Sequence, residues 1–512
     1  MSPSPPLDPH ERTPCLAHGP ELLYGWGRTN PTRATVAVLR DGDDLRAALA
    51  SVPAATAQRG LIPRGLGRSY NDAAQNAGGV VATLDDNTVA IEIDPASGVA
   101  VVPGGATLAE LITRAIALGW FVPVTPGTRH VTIGGAIAAD VHGKNHHRSG
   151  SLGKHVTSIT LDAPVGRRVL RPDTTPQDAA AFWATVGGMG MTGVIRSATI
   201  RLVPIETPLM RVDTSRVANL DELLGVLRDD ESTYSVAWVD LLATGARLGR
   251  AVLTSGEHAR VHDLTDHNKH ADHNKHADHD KHTDHNKNTA GDNRRFAFGS
   301  AMTVPSLGVN VVGPAVTRAF NEVWFRKAPR RRVGELQTIQ AFFHPLDGMD
   351  NWNRLYGRAG FVQWQCVVPL ESSRVVQQAL EAFARARLGS PVVVLKRFGD
   401  ANKSPLSFPI PGWTLAVDIP AGAEGVAAVL DVLDDAVVEA GGRVYLAKDA
   451  RMRAEHLATM YPRLEEWREI CATLDPDHVM QSDLDRRVGL RGGHRVEPRG
   501  VTARTPRSGS HT

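Results

Sequence analysis

Residues 126–156 read PGTRHVTIGGAIAADVHGKNHHRSGSLGKHV, and the fold depends on this stretch. Glycine and alanine recur so often that bulky side chains are excluded along its length, which indicates a ligand lying against the backbone. Three histidines, His142, His146 and His147, close the alanine-glycine run. A metal site, a phosphate-binding loop and the lining of a pocket for a flat cofactor are all consistent with this stretch taken alone.

A second segment of small residues, PRGLGRSYND, spans residues 63–72. Gly65, Gly67 and Ser69 leave backbone N–H groups open to an anion, as in a phosphate-binding nest. A plain turn between two strands explains the same residues equally well. The two segments together therefore favour a ligand site more strongly than either does alone.

Residues 188–193, GMGMTG, match the letter pattern of a dinucleotide-binding loop. That loop requires a strand before it and a helix after it. Here a helical pattern precedes the glycines and the strand-like VIRSATIRLV follows, so the context is inverted. We therefore reject a Rossmann-type NAD site, because close backbone packing explains these glycines better.

The composition is that of a globular protein with more than one core. The chain has 512 residues, of which 42% are hydrophobic and 22% charged, so two or three domains are expected. A net charge of +2 gives no reason to expect nucleic acid as a partner. The three cysteines, Cys15, Cys366 and Cys471, are far apart, which argues against a disulfide framework and a cysteine zinc site.

The N-terminal sequence and the apolar runs give no sign of a targeting or spanning segment. MSPSPPLDPHERTP lacks the basic start and apolar core of a secretory signal. No stretch approaches the ~18 consecutive apolar residues of a transmembrane helix. We therefore expect a cytoplasmic protein or one held peripherally at the cell envelope.

Short apolar runs and glycine turns alternate between residues 35 and 205. VAVLR, GLIPRG, VVATL, VAIEID and VAVVPGG predict strands, and TLAELITRAIALG predicts an amphipathic helix that closes on Gly119. Further on, YSVAWVDLL, FVQWQCVVPL and SPVVVLKRFG predict strands, and SRVVQQALEAFARARL predicts a helix. Since strands and helices do not alternate regularly, the fold class is α+β.

Residues 266–289 repeat a hexamer four times, as DHNKHA, DHNKHA, DHDKHT and DHNKNT. The repeat has no residue able to hold a core, which predicts a flexible surface loop. Metal sequestration is the alternative, because histidine-rich tracts bind metals, although a flexible loop does not fix ligand geometry.

Several long motifs, in the same order, resemble the vanillyl-alcohol-oxidase (PCMH) type of FAD-binding enzymes. They are PRGLGRSYND, residues 126–156, FWATVGGMGMTGVI, GWGRTNPT, GFVQWQCVVP, LKRFG, SPLSFPIPGW and YLAKDARMRAEHLATMYPRLEEW. Within that superfamily the chain is most similar to the decaprenylphosphoryl-β-D-ribose oxidases, which form the oxidising half of an actinobacterial epimerase. The resemblance covers about residues 25–490 apart from the repeat, and it implies a two-domain fold with an antiparallel-sheet substrate-binding cap.

The resemblance divides the chain into five parts. It implies a flexible N-terminus at residues 1–16, an FAD-binding domain at 17–207 and a substrate domain at 208–442 that carries a disordered loop at 262–290. Residues 443–490 should complete the active site, and residues 491–512 should form a disordered tail.

The resemblance also implies that FAD lies extended between the two glycine segments. The first segment should hold the pyrophosphate through Arg64, Gly65, Leu66, Gly67, Arg68, Ser69, Tyr70 and Asn71. The remainder of the cofactor should contact Gly127, Thr132, Ile133, Gly134, Gly135, Ala139, Asp140, Val141, His142, Ile195 and Tyr445. Several relatives tether the flavin through a histidine just before the serine of the first loop. Arg68 stands there in this chain, so the resemblance implies non-covalent FAD and no catalytic metal.

The chemistry of such an enzyme needs a group that accepts or stabilises the hydroxyl proton of the substrate. Lys448 matches the lysine that lies beside the flavin ring in the family and is the first choice. It acts as a base only if burial or nearby positive charge lowers its pKa. A surface salt bridge with Asp449 or Glu455 is the structural alternative. His142 and Tyr70 are the competing proton acceptors.

Polar residues that alternate along predicted strands suggest a substrate-binding face. Gln363 and Gln365 share one face of their strand, as do Lys396 and Phe398 of theirs. The solvent face of a sheet is the alternative, but the resemblance favours the sugar for the glutamines and the phosphate for Lys396. Other residues that match substrate-pocket positions of the family are Lys144, Trp238, Phe325, Thr414 and Asp418.

The chain departs from the family at three of the substrate positions. Close members have asparagine and cysteine where this chain has Thr414 and Ala416, and tyrosine is usual where it has Phe325. Loss of an amide and a phenol removes polar contacts, so these departures leave open the identity of the sugar and of the lipid tail.

The resemblance implies a substrate of polyprenyl-phosphate-linked pentose and a partner, a nicotinamide-dependent short-chain reductase that completes the epimerisation for arabinan synthesis. Residues 324–332, WFRKAPRRR, contain five basic residues directly after two aromatic ones. They are explained either by a solvated loop or by contact with an anionic membrane surface, where each cation contributes about 1 kcal/mol. A soluble alditol or sugar-lactone oxidase and a metal-binding protein built on the repeat are the rival functions.

Overall fold

The computed structural model describes residues 16–40, 45–85, 90–264, 297–299, 302–306 and 308–492. The histidine repeat and most of the predicted tail lie outside these residues. Helices cover α1 Leu45–Ala50, α2 Ala54–Ala57, α3 Leu108–Ala117, α4 Ile133–Ala138, α5 His146–Ser149, α6 Pro176–Thr185, α7 Leu220–Asp229, α8 Pro314–Lys327, α9 Ile339–Phe343, α10 Ser373–Arg385, α11 Val426–Glu439, α12 Ala454–Met460, α13 Leu464–Leu474 and α14 Asp483–Val488.

The N-terminal sheet has four strands in the order β1-β2-β4-β3. Strand β4 pairs in parallel with both β2 and β3 and is buried for most of its length. This position suits the run of β-branched residues in VVATL, since a parallel strand is covered on both faces. The strand bounds are β1 Leu16–Leu23, β2 Thr32–Leu39, β3 Leu61–Pro63 and β4 Val80–Leu84.

The second sheet has five strands in the order β5-β6-β10-β8-β9. The predicted helix next to it is confirmed as α3, whose N-terminus has a capping box between Thr107 and Glu110. The predicted strand VAIEID is reduced to the two residues of β5. The bounds are β5 Glu92–Ile93, β6 Val99–Pro103, β8 Val156–Ala163, β9 Gly166–Leu170 and β10 Val194–Arg201, and the short strands β7 Trp120–Phe121 and β11 Val203–Pro204 pair beside it.

The third sheet is antiparallel throughout its eight strands, in the order β16-β12-β14-β13-β19-β20-β18-β21. The predicted strands and the helix of this region are present, and an α+β fold with an antiparallel cap is confirmed. The bounds are β12 Leu209–Val217, β13 Tyr234–Val239, β14 Ala251–His258, β16 Arg331–Thr338, β18 Phe361–Val368, β19 Val393–Phe398, β20 Gly412–Pro420 and β21 Arg443–Val444, with a separate pair formed by β15 Met302–Thr303 and β17 Met349–Asp350.

The C-terminal residues return from the third sheet to the first. Met480 forms a parallel bridge with Leu61, and α13 packs against α6. Arg491, which the sequence analysis assigned to a disordered tail, is instead buried, and its guanidinium lies 3.0 Å from the Asp475 carboxylate. Arg491 is buried because the buried carboxylate of Asp475 requires a cation as its partner.

The core has two large parts. One joins the first sheet to the third, with Trp413 and Trp467 among its largest buried side chains, and the other fills the second sheet around Phe121 and Phe182. Cys366 and Cys471 are buried free thiols, and Cys15 lies outside the described residues. Within the described ranges, no helix is both long and apolar enough to cross a membrane.

Candidate active site

One large cavity, of about 1280 Å³, lies between the first two sheets and the third. The two glycine segments line one side of it, and strands β18, β19 and β20 line the other with the residues after β21. The cavity thus unites segments that are hundreds of residues apart in the chain.

The first glycine segment lines the cavity with most of its predicted residues: Arg64, Gly65, Leu66, Gly67, Arg68, Ser69 and Tyr70. Close packing explains Gly65, since a Cβ there would lie 2.1 Å from the Thr132 hydroxyl. Arg64 is tied to the backbone carbonyls of Tyr24 and Ala74 at 2.6 and 3.0 Å. The guanidinium of Arg68 stacks on Trp26 at 4.0 Å, and its Nε has no hydrogen-bond partner within the described part of the chain.

The second glycine segment lines the cavity with Gly127, Thr132, Gly134, Gly135, Ala139, Val141 and His142, and Ile195 and Tyr445 join it. The Thr132 hydroxyl accepts a hydrogen bond from the Gly135 N–H at 3.2 Å, which starts α4. A Cβ built on Gly127 meets no atom within 4 Å, so it would project into open space. Because small residues keep this wall flat, the segment fits a planar group such as a flavin ring.

Three of the predicted cofactor residues do not line the cavity. Ile133 is fully buried in the core, and Asn71 accepts a hydrogen bond from the Thr29 hydroxyl at 3.2 Å. Asp140 points away from the cavity because its carboxylate accepts hydrogen bonds from four groups: the hydroxyls of Ser151 and Ser407, the Asn402 amide and the Gly153 N–H.

The Asp140 network had no signal in the sequence, since its members are up to 267 residues apart. Burial raises the pKa of Asp140, and its hydrogen bonds oppose that rise. The backbone φ of Asp140 is +42°, an uncommon conformation outside glycine. The network therefore ties the end of α4 to the loop before β20.

Tyr70, Gln363, Asp418 and Lys448 form a polar group in the cavity. The Gln363 amide donates to the Tyr70 hydroxyl at 3.1 Å and also to Asp418 Oδ1. The Lys448 ammonium lies 3.7 Å from the centre of the Tyr70 ring. Asp418 Oδ2 is buried without a hydrogen-bond partner among the described residues.

The electrostatics of this group favour its uncharged forms. Burial lowers the pKa of Lys448 to about 7, although the Asp418 carboxylate opposes this shift. Burial likewise raises the pKa of Asp418, and the pKa of the Tyr70 hydroxyl is raised well above its ordinary value. Near neutral pH, Lys448 can therefore exist as an amine, while Tyr70 keeps its proton.

A second polar pair lies beside the first. The Gln365 amide nitrogen lies 2.9 Å from His142 Nε2 and 3.1 Å from the Thr414 hydroxyl. Burial lowers the pKa of His142 well below its ordinary value, so the ring is neutral. Since the amide donates to Nε2, the imidazole proton is on Nδ1, which has no partner in the described ranges.

Two lysines are enclosed in the same cavity without an acidic partner among the residues described. Lys144 donates to the Phe342 carbonyl, and Lys396 lies 5.7 Å from the Phe398 ring. Burial lowers the pKa of Lys144 to about 7 and that of Lys396 to about 8. Unpaired enclosed cations of this kind are stabilised by an anionic ligand.

The remaining predicted substrate residues fall into two groups. Trp238 lines the cavity and donates to the Pro391 carbonyl at 2.9 Å. Thr414 and Phe398 lie behind the lining, against Gln365 and His142. Phe325 also lies outside it, because its ring packs 4.7 Å from the guanidinium of Arg250.

The aromatic residues at the mouth of the cavity are Phe320 and Trp324, which the sequence analysis did not assign to the pocket. Their spacing from Val316 is that of one helix face, which could have indicated their position, whereas the motif match assigned the adjacent Phe325 to the pocket.

His146 and His147 bond to backbone groups rather than to each other. His146 Nδ1 accepts from the Gly399 N–H at 3.2 Å, and His147 Nε2 donates to the Ser232 carbonyl at 2.8 Å. In the part of the chain that the structure describes, no group of three or more His, Cys, Asp or Glu residues is arranged to hold a metal ion.

The family model of an FAD binding domain matches residues 34–169. The chain is 40% identical over 473 residues to the decaprenylphosphoryl-beta-D-ribose oxidase of Mycolicibacterium smegmatis, covering 91% of this chain and 97% of that protein. It is 37% identical to an uncharacterized protein of Streptomyces coelicolor, over 75% of this chain and all of that protein. A probable L-gulonolactone oxidase of Arabidopsis thaliana is 33% identical over only 20% of this chain and 18% of its own length.

These matches and the flat, glycine-walled cavity define an FAD-dependent oxidoreductase. Among such enzymes, the chain belongs to the decaprenylphosphoryl-β-D-ribose oxidase family, which the motifs predicted.

Proposed function

We propose that this protein oxidises the 2'-hydroxyl of decaprenylphosphoryl-β-D-ribose, or of a closely related polyprenylphosphoryl pentose, to the 2'-ketone. The observation that carries the proposal is the pairing, in one cavity, of a flat glycine wall with two enclosed lysines that have no acidic partner in the described part of the chain. The wall suits a flavin, and the lysines suit the phosphate of the substrate.

The residues present fit FAD held without a covalent bond. The pyrophosphate would lie against the backbone of residues 64–69, and the ring system against Gly127, Gly135 and Ala139. Arg68 stands where a tethering histidine would be needed, and its stacking on Trp26 occupies the side chain. Bound FAD would supply a two-electron acceptor for the C–H bond of the alcohol.

Lys448 is the residue we assign to the hydroxyl proton. Its lowered pKa leaves a useful fraction of free amine near neutral pH, and its position at the face of Tyr70 places it inside the cavity. Tyr70 and His142 are less suitable as bases. Tyr70 holds its proton strongly, and His142 Nε2 already accepts from Gln365.

Gln363 and Gln365 would position the pentose, and Lys396 with Lys144 would bind the phosphate. The two glutamines lie two residues apart on β18 and both line the cavity. Each is held by buried neighbours, Gln363 by Asp418 and Gln365 by Thr414. Their amides are thereby fixed in place before substrate arrives, which reduces the entropy cost of binding.

The 2'-ketone would be reduced by a separate nicotinamide-dependent short-chain reductase, so that the two enzymes together invert the sugar for arabinan synthesis. A substrate with a polyprenyl tail also requires contact with a membrane surface. We accordingly propose a peripheral location at the cell envelope, on either its cytoplasmic or its periplasmic face.

The first experiment is an absorbance spectrum of the purified protein, followed by denaturation and filtration. We expect a flavin band whose chromophore passes the filter. Anaerobic addition of decaprenylphosphoryl-ribose should then bleach the band, whereas alditols and sugar lactones should not. A protein that takes up no FAD, or that is bleached only by a soluble polyol, contradicts the proposal.

The repeat at 266–289 lies outside the described residues and has no part in this mechanism. Its deletion should leave bleaching by decaprenylphosphoryl-ribose unchanged. Loss of activity, together with tight metal binding by the intact chain, would favour the metal-binding alternative.

A further inference from the structure

Helix α8 has its polar face inside and its apolar face outside. Thr317 and Asn321 are 1% and 0% exposed, whereas Val316, Phe320, Val323 and Trp324 are 60%, 43%, 65% and 45% exposed. The four apolar residues have the spacing of a single helix face. A helix at the surface of a globular protein normally has the opposite arrangement.

Polar contacts fix this orientation. The Asn321 amide donates to Asp240 Oδ1 at 2.7 Å, and Arg250 bridges Asp240 and Glu322 with two contacts of 2.6 Å. Rotating α8 to bury its apolar face would remove Asn321 from Asp240 and Glu322 from Arg250, and losing partners of buried charged groups is costly. These polar contacts therefore hold the apolar face of α8 at the surface of the protein.

The apolar face continues into the cavity. Val316, Phe320 and Trp324 also line the cavity, and the rings of Phe320 and Trp324 stack at 6.0 Å. Val309 is 66% exposed next to this region, and Val311 lines the cavity mouth. An apolar chain could therefore pass from the face of α8 into the cavity without crossing a polar rim.

A cluster of cations borders the apolar face. Five exposed cations follow one another within seven residues: Arg326, Lys327, Arg330, Arg331 and Arg332. Arg326 and Arg332 pair with Glu322 and Glu335, and the other three have no acidic partner among the residues described. An aromatic and aliphatic face beside unpaired cations is complementary to the interface of an anionic bilayer.

We propose that the apolar face of α8, together with Val309 and Val311 and the cations at 326–332, docks on an anionic membrane surface. We call these residues the docking face. In this position the cavity mouth opens directly onto the bilayer, so that a prenyl tail stays in hydrocarbon while its sugar phosphate reaches the active site. The inference rests on the proposed function for the identity of the lipid, but not for the docking itself.

The test is flotation of the FAD-loaded full chain with vesicles of equal parts phosphatidylglycerol and phosphatidylcholine. Val323→Glu should weaken vesicle binding about tenfold, because one apolar side chain is no longer buried in the interface. The exchange of Arg330 and Arg331 for glutamate should weaken it at least about fivefold for each cation lost. Salt should weaken binding of the wild type.

The matched controls are Val432→Glu, an equally exposed valine of α11, and a double exchange of Arg374 and Arg385 on α10 for glutamate. Neither control should affect vesicle binding. Val323 does not line the cavity, so Val323→Glu should oxidise a soluble short-chain prenylphosphoryl-ribose at the wild-type rate but lose turnover of the long-chain substrate in vesicles.

Three results would overturn the docking proposal. The first is that the wild type does not float with the vesicles, and the second is that the control variants weaken flotation as much as Val323→Glu does. The third is that Val323→Glu changes only the oligomeric state in solution, which would make the face an interface between copies of the chain. If the wild type docks but no prenylphosphoryl sugar bleaches the flavin band, the docking proposal stands and the proposed function fails.

Discussion

The two walls of the active-site cavity are built on different principles. The glycine wall, residues 63–70 and 126–142, is made of backbone and small side chains, and its shape follows from where a Cβ is absent. The polar wall, on β18 to β20 and around Lys448, is made of buried side chains that hold one another in place. The first wall should set how tightly the cofactor binds, and the second should set the rate of reaction and the choice of substrate.

The largest effect is expected at the polar wall. Lys448→Met should lower the rate of flavin reduction by decaprenylphosphoryl-ribose about 1000-fold, because the hydroxyl proton loses its acceptor. The affinity for FAD should stay near that of the wild type. Anaerobic stopped-flow spectroscopy of the FAD-loaded variant measures both the reduction rate and its saturation.

Lys403→Met, an exposed lysine outside the cavity, is the control for Lys448→Met. A reduction rate of Lys448→Met within tenfold of the wild-type rate would move the role of base to another group of the polar wall.

The next effect is expected at the glycine wall. Gly127→Leu places a side chain in open space, so the apoprotein should fold normally while the affinity for FAD falls about 100-fold. The dissociation constant is measured by quenching of flavin fluorescence, and thermal unfolding of the apoprotein reports on the fold. Gly225→Leu, at a glycine of α7 that also has open space around it, is the control. Equal loss of stability and affinity would show that Gly127 supports the fold rather than the cofactor.

The contrast between the walls also explains what the sequence could predict. Because the glycine wall is built from contiguous residues, its two segments could be found by inspection, and all but three of the predicted cofactor residues line the cavity. The alternation of Gln363 and Gln365 was visible as well, since β18 is a regular strand.

Residues whose roles depend on distant partners could not be predicted. Asp140 was assigned to the cofactor through the family resemblance of the second glycine segment, yet its partners are on other loops. Phe325 was assigned to the pocket by a motif match, which does not give the rotation of a helix. Arg491 was assigned to the disordered tail because the sequence does not show its ion pair with Asp475, which lies at the C-terminal end of α13.

A smaller effect is expected from the cations of the polar wall. Lys396→Met should raise KM for decaprenylphosphoryl-ribose about tenfold with little change in kcat, because one charge-assisted contact with the phosphate is lost. Steady-state kinetics with an artificial electron acceptor separate the two constants. A comparable substrate that lacks the phosphate should show no change in KM. If kcat falls instead while KM stays constant, Lys396 acts on the reacting centre and not on the phosphate.

The smallest expected effect is the change in the pKa of Lys448 when the charge of Asp418 is removed. If Lys448 must be an amine to accept the proton, the reduction rate should rise with pH up to the pKa of Lys448, about 7, and level off above it. The Asp418 carboxylate raises that pKa, so Asp418→Asn should move the inflection to lower pH and leave a larger fraction of amine at neutral pH.

The pH profile of Asp418→Asn separates a direct role of Asp418 from an electrostatic one. A purely structural role of Asp418 would lower the rate at every pH without moving the inflection. A rate that falls with pH through the inflection, instead of rising, would mean that the lysine reacts as an ammonium, because the loss of the carboxylate lowers the pKa of Lys448 whichever form reacts. The rise or fall of the rate with pH therefore reports which protonation state of Lys448 reacts, and the shift of the inflection reports its coupling to Asp418, independently of how much activity the variant retains.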